Sequence, residues 1–374
     1  MSDEQRPFLI EVSALVLQKI QRRLDDTTVT YAPSDDKNWK YGADTRYISS
    51  FIEYWRTDYD FRAAERDLNR FSQYKCLVDG IDVHFVHIKG PTPRRTLLLT
   101  HGWPGSVYEF YAAATHLTTA GFDLVIPSLP GYGFSARPAK PIGPRRVAAL
   151  WRMLMVDHLG INRFGVQGGD WGSAVSTWLA QDAPAHVAGL HLNLCSVPTS
   201  SDPTVEEGLW RTKLDRMMKA ESAYMMEHMT KPQTIALALA DNPVGYAAWV
   251  LEKFQGWGDT KGDIESRFSK DWLITNLMIH LVNDAVTSMI WMYAGAYQEA
   301  KAGGYAPPHV TVPTACALFP AEFWLWPPRE AVARHYNVQR WTKMSSGGHF
   351  AALEEPEAFA ADVAEFFSAL PFAA

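Results

Sequence analysis

Three short stretches of this chain place reactive side chains on the kind of backbone that could use them. The first is Phe164-Gly165-Val166-Gln167-Gly168-Gly169-Asp170-Trp171-Gly172-Ser173. An apolar strand runs into a glycine, one more residue, an acid, another residue and a second glycine. Val175, Leu179 and Ala180 then continue at helical spacing. Strand, sharp turn and helix in this order hold up a nucleophile, and Asp170 stands where ester-cleaving enzymes carry Ser. Gly168 and Gly172 are expected because so tight a turn leaves no room for side chains two positions either side of the nucleophile. A carboxylate presented in this way can attack carbon and form an ester. The plainer reading is a turn Asp that caps the following helix.

The second stretch is Leu97-Leu98-Leu99-Thr100-His101-Gly102-Trp103-Pro104-Gly105-Ser106, a strand end that turns sharply. The loop after such a strand supplies one backbone N–H of an oxyanion hole and the residue after the nucleophile supplies the other, which nominates Trp103 and Trp171. His101, beside a turn glycine, is read as holding the loop and not as a base, and a cis bond before Pro104 would suit the turn. The third stretch is Ser346-Gly347-Gly348-His349-Phe350. His349 lies in a glycine-lined loop after the nucleophile in the chain, which makes it the general-base candidate. The acid that orients it should follow a late strand. Glu322, in Phe319-Pro320-Ala321-Glu322, is preferred, and Asp202 after an earlier strand is its rival.

The elements that must position these groups show in the periodicity. Ile81 to His87 alternates, and Thr96–Thr100, Asp123–Pro127, Phe164–Gln167, Leu190–Leu194 and Thr311–Phe319 read as strands. Helical segments lie between them, such as Arg146–His158, stopped by Gly160. Strands alternating with helices predict an α/β fold with a mostly parallel sheet and helices on both faces. Residues 1–90 are dense in aromatic and charged side chains, with Val12, Leu15, Val16, Ile20 and Leu24 at helical spacing, and read as an N-terminal wrapping segment. Residues 199–306 lose the strand signal and read as a helical cap, broken at Pro232, Pro243 and Gly256 and inserted between the two parts of the core, 91–198 and 307–374. A closing amphipathic helix runs through Phe359, Val363, Phe366 and Phe367. The cap is expected over the C-terminal edge of the sheet, where such folds place their sites.

Composition narrows the function classes. With 374 residues, 47% hydrophobic and 20% charged, the chain has the balance of an ordered globular protein. Its 35 basic and 41 acidic residues form no basic stripe interleaved with aromatics, which argues against nucleic acid as a partner. No signal-like start and no long apolar run appear, so a soluble cytoplasmic protein without a membrane anchor is expected. Three cysteines without paired spacing, Cys76, Cys195 and Cys316, suggest buried reduced thiols and neither disulfides nor a metal site. Gly131-Tyr132-Gly133 lacks the rest of a phosphate-binding fingerprint, so no cofactor is expected. The 14 Trp, 15 Tyr and 18 Phe suit an aromatic-lined pocket.

HGWPGS at 101–106, GGDWGS at 168–173, FPAE at 319–322 and GGHFAALEEP at 347–356, in this order after an aromatic-rich N-terminal segment, resemble the microsomal-type epoxide hydrolase family of the α/β-hydrolase fold. The resemblance runs from about residue 8 to the C-terminus and points to the soluble microbial members. It implies Asp170 as nucleophile, Glu322 and His349 as the water-activating pair, and two cap tyrosines as donors to the epoxide oxygen. The matching positions are Tyr224, ahead of Thr230-Lys231-Pro232, and Tyr293, in Trp291-Met292-Tyr293. Around Tyr293 the sequence is apolar where many relatives are charged, and Tyr297, one turn on, is the alternative donor. Tyr246 and Tyr305 are read as structural. The family implies a small apolar epoxide and water as partners, hydrolysis to a vicinal diol, a role in detoxification of aromatic hydrocarbons or in secondary metabolism, and a homodimer. Two rival readings are a haloalkane dehalogenase, which also uses an Asp followed by Trp, and a catalytically silent hydrolase-fold binding protein. The latter is expected to lose one of Asp170, Glu322 or His349.

Overall fold

The computed structural model describes residues 5–90, 95–304 and 309–372. Nine strands among them form one sheet: β1 (Arg6–Phe8), β2 (Gln73–Val78), β3 (Ile81–Ile88), β4 (Arg95–Thr100), β5 (Phe122–Pro127), β6 (Phe164–Gly168), β7 (Val187–Leu192), β8 (Val310–Leu318) and β9 (Tyr336–Lys343). They lie in the order β1-β2-β3-β5-β4-β6-β7-β8-β9. Pairing is parallel from β5 through β9 and antiparallel across β1, β2, β3 and β5. The central strands are buried along their whole length, which is why they read as continuous apolar runs. From β4 the chain steps to one side for β5 and then to the other for β6. Their C-terminal ends therefore border the crevice where a doubly wound sheet binds ligands.

Residues 1–90 differ from the expected helical wrap. Three helices are present, Ala14–Asp26, Thr45–Thr57 and Phe61–Leu68, and Ser13, Asp44 and Asp60 cap their first turns by accepting backbone N–H groups. The same segment also supplies β1, β2 and β3, one edge of the sheet. β2 eluded the sequence reading because an antiparallel strand near an edge buries only part of its surface, so Gln73, Tyr74 and Lys75 dilute the apolar pattern. β9 is likewise an edge strand with a half-exposed, polar sequence. The expected strand at Leu190–Leu194 ends two residues earlier, because Asn193 turns to bond Gln167 through its side chain. The expected helix at 146–158 runs as an α-helix over Pro144–Arg152, widens to a π turn over Met153–His158, and stops before Gly160 at φ 66°.

Between β7 and β8 the described chain is helical: Val205–Glu221, Ala223–Thr230, Pro232–Ala240, Pro243–Trp257, Lys270–Leu281 and Trp291–Glu299 are the longer elements. The helix Lys270–Leu281 holds the loop after β4. Asn276 accepts from Ser106 Oγ at 2.9 Å and donates to the Pro104 carbonyl at 3.0 Å, and His280 Nε2 bonds the Gly105 carbonyl at 3.2 Å. The N-terminal segment braces the same helix through Tyr59 and Thr275, 2.9 Å apart, and Tyr54 and Asp271, 3.0 Å apart. The closing helix Pro356–Ser368 packs on the other side of the sheet. There Phe367 lies so close to Gly165 that a Cβ on that glycine would sit 2.5 Å away. No described helix is long and apolar enough to cross a membrane. Cys76, Cys195 and Cys316 are buried. Tyr246 is buried against Met289, and Tyr305 lies outside the described residues.

Candidate active site

Asp170 leaves β6 through Gly169 and opens the helix Asp170–Asp182 with φ 46°, a left-handed conformation that costs a non-glycine residue energy and persists only where its surroundings enforce it. The enforcement is steric. A Cβ on Gly168 would lie 2.1 Å from the Gly172 carbonyl oxygen, and one on Gly172 would lie 1.8 Å from the Thr100 carbonyl oxygen. The turn can therefore close only with glycine at both positions. Asp170 does not cap its helix: its Oδ1 accepts from the Trp103 backbone N–H at 2.8 Å, and its Oδ2 lies 3.5 Å from His349 Nε2. Trp171, next in the chain, falls in the first helical turn, where backbone N–H groups have no partner within the helix. The loop after β4 thus brings the Trp103 N–H to the Asp170 carboxylate, while Trp171 follows it directly in the turn after β6, and the Trp103–Pro104 bond is cis.

His349 is held from three sides. Its backbone N–H donates to the Trp257 carbonyl at 3.0 Å, its ring stands against Trp257, Phe323 and Phe350, and its Nδ1 bonds Glu322 at 2.9 and 3.1 Å. Glu322 is itself buried and accepts the Trp324 backbone N–H at 2.9 Å. Burial works against charge on the imidazole, but the Glu322 carboxylate and the hydrogen bonds to Asp170 and Glu322 outweigh it. The ring is raised well above its ordinary value. Asp202 is exposed in the loop before Val205–Glu221 and does not join the group. His101 holds the loop, with Nδ1 on the Gly102 carbonyl at 3.0 Å and Nε2 accepting from Leu129 N–H at 3.1 Å. Burial pushes it down to about 4, so it stays neutral.

Tyr224 and Tyr293 pack edge to face with each other beside the two tryptophans that flank this carboxylate, both buried. Tyr224 stacks on Trp103, with centroids 5.1 Å apart at 11°, and Tyr293 stands edge-on to Trp171 at 4.7 Å. Their own rings lie 5.9 Å apart. Burial, with the nearby Asp170 carboxylate as a further contribution, pushes both phenols above their usual range, so both remain protonated donors. Tyr297 points elsewhere: it is 38% exposed, with Lys301 over its ring.

Sequence reasoning missed two neighbours. His228, one turn after Tyr224, is fully buried, accepts from Trp249 Nε1 at 3.1 Å and packs against both Trp103 and Tyr293 at 4.9 Å. Glu109 lines a small cavity shared with Asp170 and His349. The signal for His228 is its i+4 spacing from Tyr224, which puts both on one helix face. Ser106-x-x-Glu109 carries only the signature of a helix cap.

A parallel α/β sheet with a strained acid after one central strand, a histidine–acid pair after later strands and a helical layer above them defines an α/β-hydrolase. The comparisons with known proteins narrow this class. Residues 5–110 match the family described as Epoxide hydrolase N terminus, and residues 95–222 match the alpha/beta hydrolase fold. Epoxide hydrolase 1 of Sus scrofa is 35% identical, over 98% of this chain and 89% of its own length. The crystal structure of juvenile hormone epoxide hydrolase from the silkworm Bombyx mori superposes with a TM-score of 0.91 at 28% identity, covering 98% of this chain and 95% of that one. An Aspergillus niger epoxide hydrolase structure gives 0.87 at 27% identity, over 99% of this chain and 97% of that one. The chain belongs to the microsomal-type epoxide hydrolase family.

Proposed function

We propose that this epoxide hydrolase works through a covalent ester on Asp170. The observation that carries the reading is that one carboxylate accepts the Trp103 backbone N–H and lies 3.5 Å from the His349 imidazole, with two buried phenols packed on the flanking Trp103 and Trp171. A strained ring carbon needs only a carboxylate as nucleophile, provided that the departing oxygen is stabilised. Tyr224 and Tyr293 donate hydrogen bonds to that oxygen as its charge develops. The C–O bond of the ring breaks, an Asp170 oxygen bonds the carbon, and the ring oxygen takes up a proton. Esterification removes the Asp170 charge that helps hold His349 protonated, so His349 releases a proton in the same half-reaction and becomes a base.

In the second half, His349 Nε2 takes a proton from water, which attacks the carbonyl carbon of the ester. The tetrahedral oxyanion is held by the Trp103 and Trp171 N–H groups, and Glu322 steadies the imidazolium. Collapse returns the proton to the departing oxygen and frees the diol, which carries away one Asp170 oxygen. The aromatic walls favour a bulky apolar epoxide, from detoxification or from secondary metabolism. The N-terminal strands and the helices of 199–306 are read as the wrapping segment and cap that close this pocket. A cytoplasmic homodimer completes the reading.

A second reading draws on the buried indole Nε1 groups of Trp103 and Trp171, for which no hydrogen-bond partner is found among the described residues. Two such donors beside a nucleophile could hold a departing halide, and halide release from haloalkanes tests this directly. The paired tyrosines favour the epoxide.

The deciding experiment for the ester is His349→Gln. The variant should react once and stall, with intact-mass spectrometry showing a gain equal to the epoxide and peptide mapping placing it on Gly168–Gly172. A single wild-type turnover in heavy-oxygen water should give a diol whose new oxygen is mostly unlabelled. A fully labelled first-turnover diol together with an unmodified variant would remove Asp170 as nucleophile.

A further inference from the structure

The small cavity beside Asp170 holds a carboxyl group that the reaction above leaves unused. It measures about 20 Å³, and its walls include Asp170, His349, Asn193, Phe350 and Glu109. A space of that size accommodates one water molecule, which needs roughly two to four polar partners to remain there. His349 and the Asp170 ester carbonyl are the two participants in hydrolysis, so a water held in this space would lie beside both.

Glu109 belongs to the short helical turn Val107–Phe110 that follows the loop after β4. One part of its role is structural. Ser106 Oγ accepts the Tyr108 N–H at 3.3 Å, and the Glu109 carboxyl faces the Ser106 backbone N–H, in the manner of a reciprocal helix cap. A cap of this kind occupies one carboxyl oxygen and leaves the other. The carboxyl reaches its position only because residue 105 is glycine, since a Cβ there would lie 1.2 Å from Glu109 Oε1. Glu109 is only partly exposed, and it lines the cavity together with Asp170 and His349. Burial pushes the acid up to about 8, His349 pulls it down and Asp170 pushes it up, so the three groups sense one another across this space.

We propose that Glu109 is the second anchor of the hydrolytic water. Its free carboxyl oxygen accepts one hydrogen of the water whose other proton passes to His349 Nε2, which aims the water oxygen at the Asp170 ester carbonyl. The new bond is water oxygen to carbonyl carbon, and the carbonyl electron pair moves to the oxyanion. The proton goes to His349 and then to the departing oxygen, while Glu109 transfers none. Either protonation state of Glu109 leaves an oxygen able to accept. The proposal rests on the covalent-ester reading and adds to it the group that holds the water.

Glu109→Gln separates this role from capping. Glutamine caps as well as glutamate, so a purely structural Glu109 tolerates the change. The amide oxygen that keeps the cap, however, leaves an NH2 facing the cavity, which is a donor where the water needs an acceptor. Single-turnover kinetics should show ester formation within about twofold of wild type and ester hydrolysis slowed between about tenfold and a hundredfold. The ester should then accumulate in intact-mass spectra at steady state, with an unchanged melting temperature. Wild-type hydrolysis in Glu109→Gln, or equal slowing of both steps, overturns the proposal alone. Absence of any ester in both Glu109→Gln and His349→Gln overturns the covalent reading and this proposal with it.

Discussion

His349 Nε2 lies 3.5 Å from Asp170 Oδ2, while its Nδ1 is bonded to Glu322 at 2.9 Å. The imidazole therefore sits between two carboxylates, one of which is consumed in the first half of the proposed reaction. Together these charges raise His349 well above its ordinary value despite burial. A raised value means that the free enzyme keeps the imidazolium through neutral pH, whereas ester hydrolysis needs the neutral ring. Once Asp170 is esterified, one of the two charges that raise His349 is gone and its pKa falls. Ester hydrolysis in single turnovers should thus increase with pH, with a midpoint below that of His349 titrated by NMR in the free enzyme. Identical midpoints would mean that the Asp170 charge does not act on His349.

The tyrosine pair makes a selective prediction. Tyr224→Phe and Tyr293→Phe should each slow ester formation by about a hundredfold, the usual loss for one donor to developing charge, and the double variant should nearly abolish it. Tyr297→Phe should alkylate at the wild-type rate, because Tyr297 is exposed and covered by Lys301. A slow Tyr297→Phe beside a normal Tyr293→Phe, read by stopped-flow tryptophan fluorescence, would reverse the assignment.

Glu322→Gln should leave ester formation largely intact and slow hydrolysis, since only the second step builds charge on His349 that the acid must steady. Asp202→Asn should be silent in both steps, as expected of an exposed loop residue outside the group. Rapid quench of the acyl-enzyme at several times separates the two rates, and the opposite pattern would move the acid to the earlier strand.

Stability should respond to two glycines in opposite directions. Gly172→Ala forces a methyl to 1.8 Å from the Thr100 carbonyl oxygen and should cost about 1–3 kcal/mol, as overpacking does. Gly208→Ala lies within the helix Val205–Glu221 with nothing within 4 Å of the added methyl, and should stabilise by about 0.5–1 kcal/mol. Urea unfolding of both variants checks the pair. An unaffected Gly172→Ala would mean that the turn has room to relax.

The sequence alone determined the parts of this protein whose constraints are local. Buried parallel strands such as β5 and β6 have apolar side chains on both faces, so they read directly as apolar runs. The turn carrying Asp170 declares itself because only glycine fits at 168 and 172. Order along the chain then sufficed to nominate His349 and Trp103. What local pattern does not encode is which distant groups share a space. Strands near or at the sheet edge, β1, β2 and β9, have water or antiparallel neighbours on part of their surface, and their mixed sequences hid them.

Glu322 and Asp202 both follow strands, and only the packing of Glu322 against His349 separates them. Tyr293 and Tyr297 are one helical turn apart and fall on the same side of any periodicity plot. The proposed choice between them rests on what each meets, Trp171 in one case and Lys301 in the other. Glu109 reads as a helix cap in the sequence, and its approach to Asp170 and His349 exists only after the loop after β4 folds back over the sheet edge. Only the tertiary structure sets these placements, because burial, charge and hydrogen bonding act through distances of a few ångströms in space, between residues that lie tens to hundreds of positions apart in the chain.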